Sequence, residues 1–300
     1  MTLLRPPMKK IPIICSIVIF SLNVGSGCNV SYQEQTEIKV TQTASIDGSH
    51  VPEVLPTVEV QLTAQSVNEA EDLIIAPPTD TVREMIGQVN QQRILTTLRQ
   101  LTGEEPLCIH NGCHTIVSRE TGSEGLKWTK AYLYQELAGL GYQVVIQDWA
   151  HSGFADQNLI ARKLGVVSPD EEVYVVAHID GVTGSSAADD NASGVVDLLE
   201  LARVLNNSSF SRTVVLLFTT GEEQGSLGSR SYVDQLSLEE INAISFVVDV
   251  DMIGYDSDND GAMELWSGDH PPSLVFAQTL SELIVAHQLD LTPSIVTGCN

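Results

Sequence analysis

Three short apolar runs, Glu172–Ala177, Thr213–Thr220 and Ser245–Val250, are rich in Val, Leu, Ile and Phe and are separated by stretches with helical periodicity. Near-continuous apolar runs of this length read as strands buried on both faces, and their alternation with helices restricts the chain to an open α/β sheet. Each run ends in residues that an apolar core excludes: His178-Ile179-Asp180, Gly221-Glu222-Glu223 and Asp251-Met252. A fourth segment, Asp189-Asp190-Asn191-Ala192-Ser193-Gly194, follows the first run and opens a helix whose apolar face is Val195, Leu198, Leu199, Ala202 and Leu205. In a sheet of this kind, ligands and chemistry gather outside the carboxyl ends of the strands.

Order is expected from about Thr79. Ile86, Val89, Ile94, Leu95 and Leu98 form one helical stripe, and Leu133, Leu137 and Leu140 form another that ends at Gly141. Tyr142–Trp149 and Asn158–Leu164 alternate like strands and predict an antiparallel pair beside the parallel ones, and a further helix is expected over Pro272–Leu289. The fold class that accommodates this order is a three-layer α/β/α sandwich with a mixed, mainly parallel sheet.

Lys plus Arg number 15 against 39 Asp plus Glu, a formal net charge of -24. A domain so acidic repels nucleic acid and anionic lipid headgroups, so neither is expected as a partner of the folded part. The oligomeric state is not legible.

The first residues look like an export signal. Arg5, Lys9 and Lys10 precede the apolar run Ile11–Val24, which is short for a membrane span and suits a signal core. Gly25-Ser26-Gly27-Cys28 then resembles a lipoprotein processing box in which Cys28 becomes the lipidated terminus, with Gly25 where Leu is usual. An ordinary cleaved signal and an uncleaved anchor are the alternatives, and all three place the mature protein outside the cytoplasm. Residues 29–78, rich in Thr, Gln, Ser and Glu, read as a flexible tether, so the expected division is signal 1–28, linker 29–78 and folded domain 79–300.

Cys108, Cys113 and Cys299 remain for the mature chain. In an oxidising compartment Cys108 and Cys113 suit a small disulfide loop; free thiols, or a metal knot with His110 and His114, are the other readings.

The strand-end segments suit a divalent metal such as zinc, which takes imidazole and carboxylate ligands. His178 offers a ring nitrogen, and Asp180, two residues on, can orient that ring. Asp190 has two carboxylate oxygens with which to bridge a pair of cations, Glu223 binds one of them, and Asp251 completes the set. Glu222 is then free to take a proton from a water and pass it to a leaving amine. Each piece alone has a plainer reading: a structural histidine, a solvated Glu-Glu pair, a helix N-cap at Asp189–Asn191. Their joint arrival at strand ends, in order, favours the metal site.

Ala177–Asp180, Ala188–Gly194, Gly221-Glu222-Glu223-Gln224-Gly225-Ser226-Leu227-Gly228-Ser229 and Val250-Asp251-Met252-Ile253-Gly254 resemble the co-catalytic di-zinc aminopeptidase family, which includes bacterial leucyl aminopeptidases, glutamate carboxypeptidases and glutaminyl cyclases. The resemblance runs from about Thr79 to the end. It implies an exported zinc metallopeptidase acting on peptides, most simply an aminopeptidase, with two zinc ions. His178, Asp190 and Asp251 would hold one ion, Asp190 and Glu223 the other, with Glu222 as general base. The related alternatives are a carboxypeptidase, a glutaminyl cyclase or a catalytically inactive binding domain.

The family draws a fifth ligand from a Ser-Asp-His segment far downstream of the Asp-Met pair, and the chain reaches Asn300 before any such segment, so the C-terminal part of the domain is expected to be missing. Ser267-Gly268-Asp269-His270 has similar composition too close to Asp251 and is read as a surface loop. Asp256, Asp258, Asp260 and Gly261 open like a calcium loop, but the twelfth position is Ser267, so an acidic turn between two strands is the preferred reading.

Overall fold

The computed structural model describes residues 80–267 and 271–297. The expected signal segment with Cys28, the expected linker, His270 and Cys299 lie outside the described residues.

The chain begins with α1 (Asp80–Gln88) and α2 (Gln91–Leu101). The expected single stripe over Ile86–Leu98 is therefore split. Asn90 breaks it: its backbone is extended, its side chain caps α2 by accepting from the Arg93 N–H, and its own N–H donates to Glu200 at 2.8 Å. A hairpin of β1 (Leu107–Ile109) and β2 (Gly112–His114) follows, with Cys108 opposite Cys113 and joined to it as a disulfide. His114 stacks on Trp128 instead of joining a metal knot.

Helix α3 (Glu124–Gly139) is capped by Ser123 and stops before Gly141, whose φ of 85° suits glycine. Strands β3 (Gln143–His151) and β4 (Phe154–Lys163) form the expected antiparallel hairpin. Its two-residue turn, Ser152-Gly153, has both φ angles positive, the geometry that matches strand twist.

The main sheet has the order β3-β4-β6-β5-β7, with β5 (Ser168–His178) at the centre of a parallel trio flanked by β6 (Arg212–Thr219) and β7 (Ile244–Asp249). Helix α4 (Gly194–Leu205) returns the chain from β5 to β6. It is buried on nearly every side, not on one face, because α1, α2 and α3 cover the flank that the sheet does not. On the opposite face lie α5 (Leu227–Gln235) and α6 (Leu238–Ala243), with Tyr232 packed among Ile160, Tyr174, Val215 and Leu217. Helices on both faces of a mixed sheet make the three-layer sandwich.

A separate parallel pair, β8 (Ala262–Trp266) and β9 (Thr292–Val296), is joined through α7 (Pro271–Ala286). Leu265, Leu280, Leu283 and Ile284 bury this unit against Val82 of α1. Asp256–Asp260 do form an exposed turn between two strands, β7 and β8, but these belong to different sheets. Ser267 departs from the surface-loop expectation: it is buried, and its N–H continues the β8–β9 ladder to the Val296 carbonyl.

Candidate metal centre

His178, Glu222, Glu223 and Asp251 sit at or just beyond the carboxyl ends of β5, β6 and β7, and Asp190 lies on the turn that leads into α4. One ligand atom each from His178, Asp190 and Asp251 falls within 4.8 Å of the others, and so does one each from His178, Glu222 and Glu223. His178 is common to both groups. Asp190 and Glu223, expected to share an ion, do not fall in a common three-donor group among the described residues.

The imidazole side chain is 5% exposed, whereas the Asp190 and Asp251 side chains are 47% and 46% exposed. The ring thus forms the floor and the two carboxylates the wet rim. Asp190 Oδ1 is 3.1 Å and Asp251 Oδ1 3.5 Å from His178 Nε2, yet neither ring nitrogen makes a hydrogen bond. Glu223 Oε1 is also buried without a partner. Buried polar atoms without partners are rare, and several carboxylates crowded around one ring repel one another unless a cation lies among them. The residues therefore fit a divalent metal ion.

Titration behaviour carries the same sign. Burial works to lower the His178 pKa, but Asp180 and Asp251 outweigh it and push the ring up to about 10. Carboxylates that hold a proton so firmly would hold a metal cation in its place. Burial, then the charge of Asp190, holds the Glu223 carboxyl above the usual range.

Asp180 is fully buried, but its main hold is not on the ring, which lies 3.7 Å away and out of hydrogen-bond reach. Its two oxygens accept from the backbone N–H groups of Glu222 and Glu223, each at 3.2 Å, and Oδ2 also meets the Thr121 hydroxyl. Asp180 therefore fixes the Glu222-Glu223 turn to the end of β5. The other side of that turn is held by Asn158, whose side chain accepts from the Thr220 N–H and donates to the Gly228 carbonyl. Trp149 donates its indole N–H to the Thr220 hydroxyl and lays its ring against Gly221, where φ is 74° and a Cβ would lie 2.5 Å from the ring. The Ser226 hydroxyl reaches Glu222 Oε1 at 3.3 Å.

The turn carrying Asp190 combines the two readings that its sequence allows. Asn191, not an aspartate, does the capping: its Oδ1 accepts from the Gly194 N–H at 2.9 Å. Asp190 is left to face His178. Asp189 accepts from the Gly254 N–H and Ser193 from the Ile253 N–H, so this turn also clamps the loop after Asp251. Gly194 is required by close approach, since a Cβ there would meet the Val250 carbonyl at 2.4 Å.

Sequence reasoning missed Asn158, Trp149 and Arg119. The last is buried and donates only to backbone carbonyls around the centre. Their contacts join segments far apart in sequence, and no local pattern marks them.

Residues 158–283 match Peptidase family M28. The chain is 37% identical over 106 residues to aminopeptidase YwaD of Bacillus subtilis, covering 35% of this chain and 23% of that protein. It is 33% identical over 139 residues to leupeptin-inactivating enzyme 1 of Streptomyces exfoliatus, covering 46% and 32%. The chain thus spans about a quarter to a third of the length of these curated relatives. The LapA aminopeptidase structure from Legionella pneumophila superposes with a TM-score of 0.59 at 19% identity, covering 79% of this chain and 62% of that one, and shares the fold. Strand-end motifs, layer order and the match over 158–283 agree: over that segment the chain is similar to peptidase family M28.

Proposed function

We propose that this chain is a zinc metallopeptidase that hydrolyses N-terminal residues from peptides. The observation that carries the reading is the convergence of His178, Asp190 and Asp251 on one point, with Glu222 and Glu223 beside it. The names of the relatives, an aminopeptidase among them, support it.

Bound zinc would supply Lewis acidity toward the scissile carbonyl and would lower the pKa of a water. His178, Asp190 and Asp251 would hold one ion, and Asp190 with Glu223 the other. Glu222, on a turn anchored by Asp180 and in contact with Ser226, accepts the proton of the attacking water and delivers it to the departing amine nitrogen. The half-exposed Asp190 and Asp251 mark the side from which a peptide enters. A chain of formal net charge -24 suits an approaching amino group better than a C-terminal carboxylate.

We also propose export, with lipid attachment at Cys28 and residues 29–78 as tether. The basic and apolar pattern of residues 5–28 supports this, as does the Cys108–Cys113 disulfide, a pairing that persists in oxidising compartments.

Aminoacyl-anilide hydrolysis by the full-length protein, abolished by a chelator and restored by zinc, is the expected result. Metal-loaded protein that releases only C-terminal residues, or only cyclises N-terminal glutamine, would assign the alternative chemistries. Absence of all three activities in metal-loaded protein would reject the enzyme reading.

A further inference from the structure

Arg119 is 2% exposed and lies on the segment between β2 and α3, outside every motif discussed above. Its guanidinium donates to four backbone carbonyls. Nε reaches Ile179 at 2.9 Å, one terminal nitrogen reaches Leu101 at 2.6 Å and Ser186 at 3.1 Å, and the other reaches Ala187 at 2.7 Å. Its own carbonyl accepts from the Gly181 N–H at 3.3 Å.

Three of those four acceptors belong to the stretch that connects His178 to Asp190. Ile179 is the residue after the histidine, and Ser186 and Ala187 stand just before the Asp190 turn. The fourth, Leu101, is a carbonyl in the last turn of α2, where helices leave acceptors without partners inside the helix. One planar fork therefore ties both ends of a loop to a fixed helix. Buried charge is costly unless its donors are satisfied: burial works against the guanidinium, while four carbonyl dipoles satisfy its donors and the charges of Asp180 and Asp190 favour it. A loop free to breathe would let the distance between His178 and Asp190 vary. Metal affinity depends on that distance being set in advance.

We propose that Arg119 is a positioning residue for the metal centre, setting the spacing of His178 and Asp190 by clamping the 179–187 loop at both ends. This rests on the metal reading of the preceding subsection. A Lys at this position keeps the charge but offers its donors from a single nitrogen and cannot span Ile179, Leu101 and Ala187 together.

The test uses the full-length protein and Co²⁺ as the probe, read by its visible d–d absorption and by titration against a competing chelator. Thermal unfolding is measured alongside. Arg119→Lys is expected to lower Co²⁺ affinity about 10–100-fold and to alter the absorption band, the usual weight of residues that orient metal ligands. Leu205→Ala, a buried change at the far end of α4, supplies the control for lost stability. It is expected to lower the unfolding temperature with Co²⁺ affinity and spectrum unchanged. Arg119→Lys with wild-type affinity and spectrum overturns the proposal, as does an equal loss of affinity in Leu205→Ala. Wild-type protein that binds no Co²⁺ overturns the metal reading itself, and Arg119's role with it.

Should Arg119→Lys fail to fold, Ser185→Ala tests the same loop from its surface. The Ser185 hydroxyl accepts from the Ala187 N–H at 2.9 Å, and its removal is expected to weaken Co²⁺ binding several-fold with little change in unfolding temperature. Unchanged Co²⁺ binding in that variant overturns the proposal.

Discussion

Asn191 donates its side-chain N–H to the Val250 carbonyl at 2.8 Å, so the turn that carries Asp190 is bonded to the residue immediately before Asp251. Two proposed ligands, one on the turn into α4 and one just beyond β7, are thereby held by one amide. Asn191→Ala removes this bond and the cap on Gly194, leaving buried groups without partners at about 1–3 kcal/mol each. Chemical denaturation should show a loss of about 2–6 kcal/mol by that arithmetic, and metal titration a drop of about 10–100-fold. Unchanged metal affinity would mean that the two turns hold their places independently.

The Glu222-Glu223 turn has a comparable weak point at Gly228. A Cβ there would lie 2.0 Å from the Thr220 carbonyl and 2.6 Å from Asn158 Oδ1, both part of the scaffold that aims the turn. Backbone cannot yield as a flexible side chain does, so Gly228→Ala is expected to cost about 3 kcal/mol or more and to depress turnover with it. Wild-type unfolding behaviour in this variant would show that the turn is looser than its close contacts imply.

The contrast between these residues and the ligand set explains what was legible in the sequence. His178, Glu222, Glu223 and Asp251 stand out because each interrupts or follows an apolar run, and a charged group at a buried strand end is a local anomaly. Asn158 and Arg119 are not anomalies on their own segments. Their meaning lies in amides and carbonyls about 60 residues away in the chain. The helix break at Asn90 has the same origin, since the group that receives its N–H is Glu200 on α4. The five strands of the main sheet were readable to within a few residues, whereas the short strands β1, β2, β8 and β9 were not read from the sequence. That β8 and β9 pair with each other instead of extending the main sheet is a matter of tertiary packing, and no periodicity reports it.

Stability of the metal-free protein should fall as pH rises. The His178 pKa moves from 6.5 to about 10 in the fold, so its contribution is full below 6.5 and is lost as pH rises through about 10. Glu223, raised above 4.5, has the same sign over a more acidic window, because the fold favours its protonated form. Metal replaces the proton and reverses the dependence, since its ligands bind in their deprotonated forms. Unfolding temperatures of chelator-treated protein are expected to be lower at pH 9.5 than at pH 6.5, and those of zinc-loaded protein to lack this fall. A chelator-treated protein that gains stability with pH across this range would contradict the crowding of carboxylates around the ring.

Lipid attachment is tested at Cys28. If that thiol is the acylated terminus, Cys28→Ser should move the protein out of the membrane fraction and abolish incorporation of a fatty-acid analogue. An ordinary cleaved signal predicts soluble protein in both forms and no label in either. An uncleaved anchor predicts membrane association that ignores the substitution.

Glu222→Gln separates the general base from the ligands around it. The amide is nearly isosteric with the carboxylate and can still meet the Ser226 hydroxyl, now 3.3 Å from Oε1, while the Glu222 backbone N–H keeps its bond to Asp180. The turn should therefore hold Glu223 in place, and zinc content should match the wild type. What the amide cannot do is take a proton from water. General acid–base catalysis contributes about 10²–10⁴-fold, so turnover of aminoacyl-anilides should fall by at least that factor with a small change in KM. Loss of metal together with activity would make Glu222 a ligand, a role its grouping with His178 and Glu223 within 4.8 Å leaves open to it geometrically. Full metal content with near-normal turnover would remove Glu222 from the chemistry altogether and require another group to carry the proton.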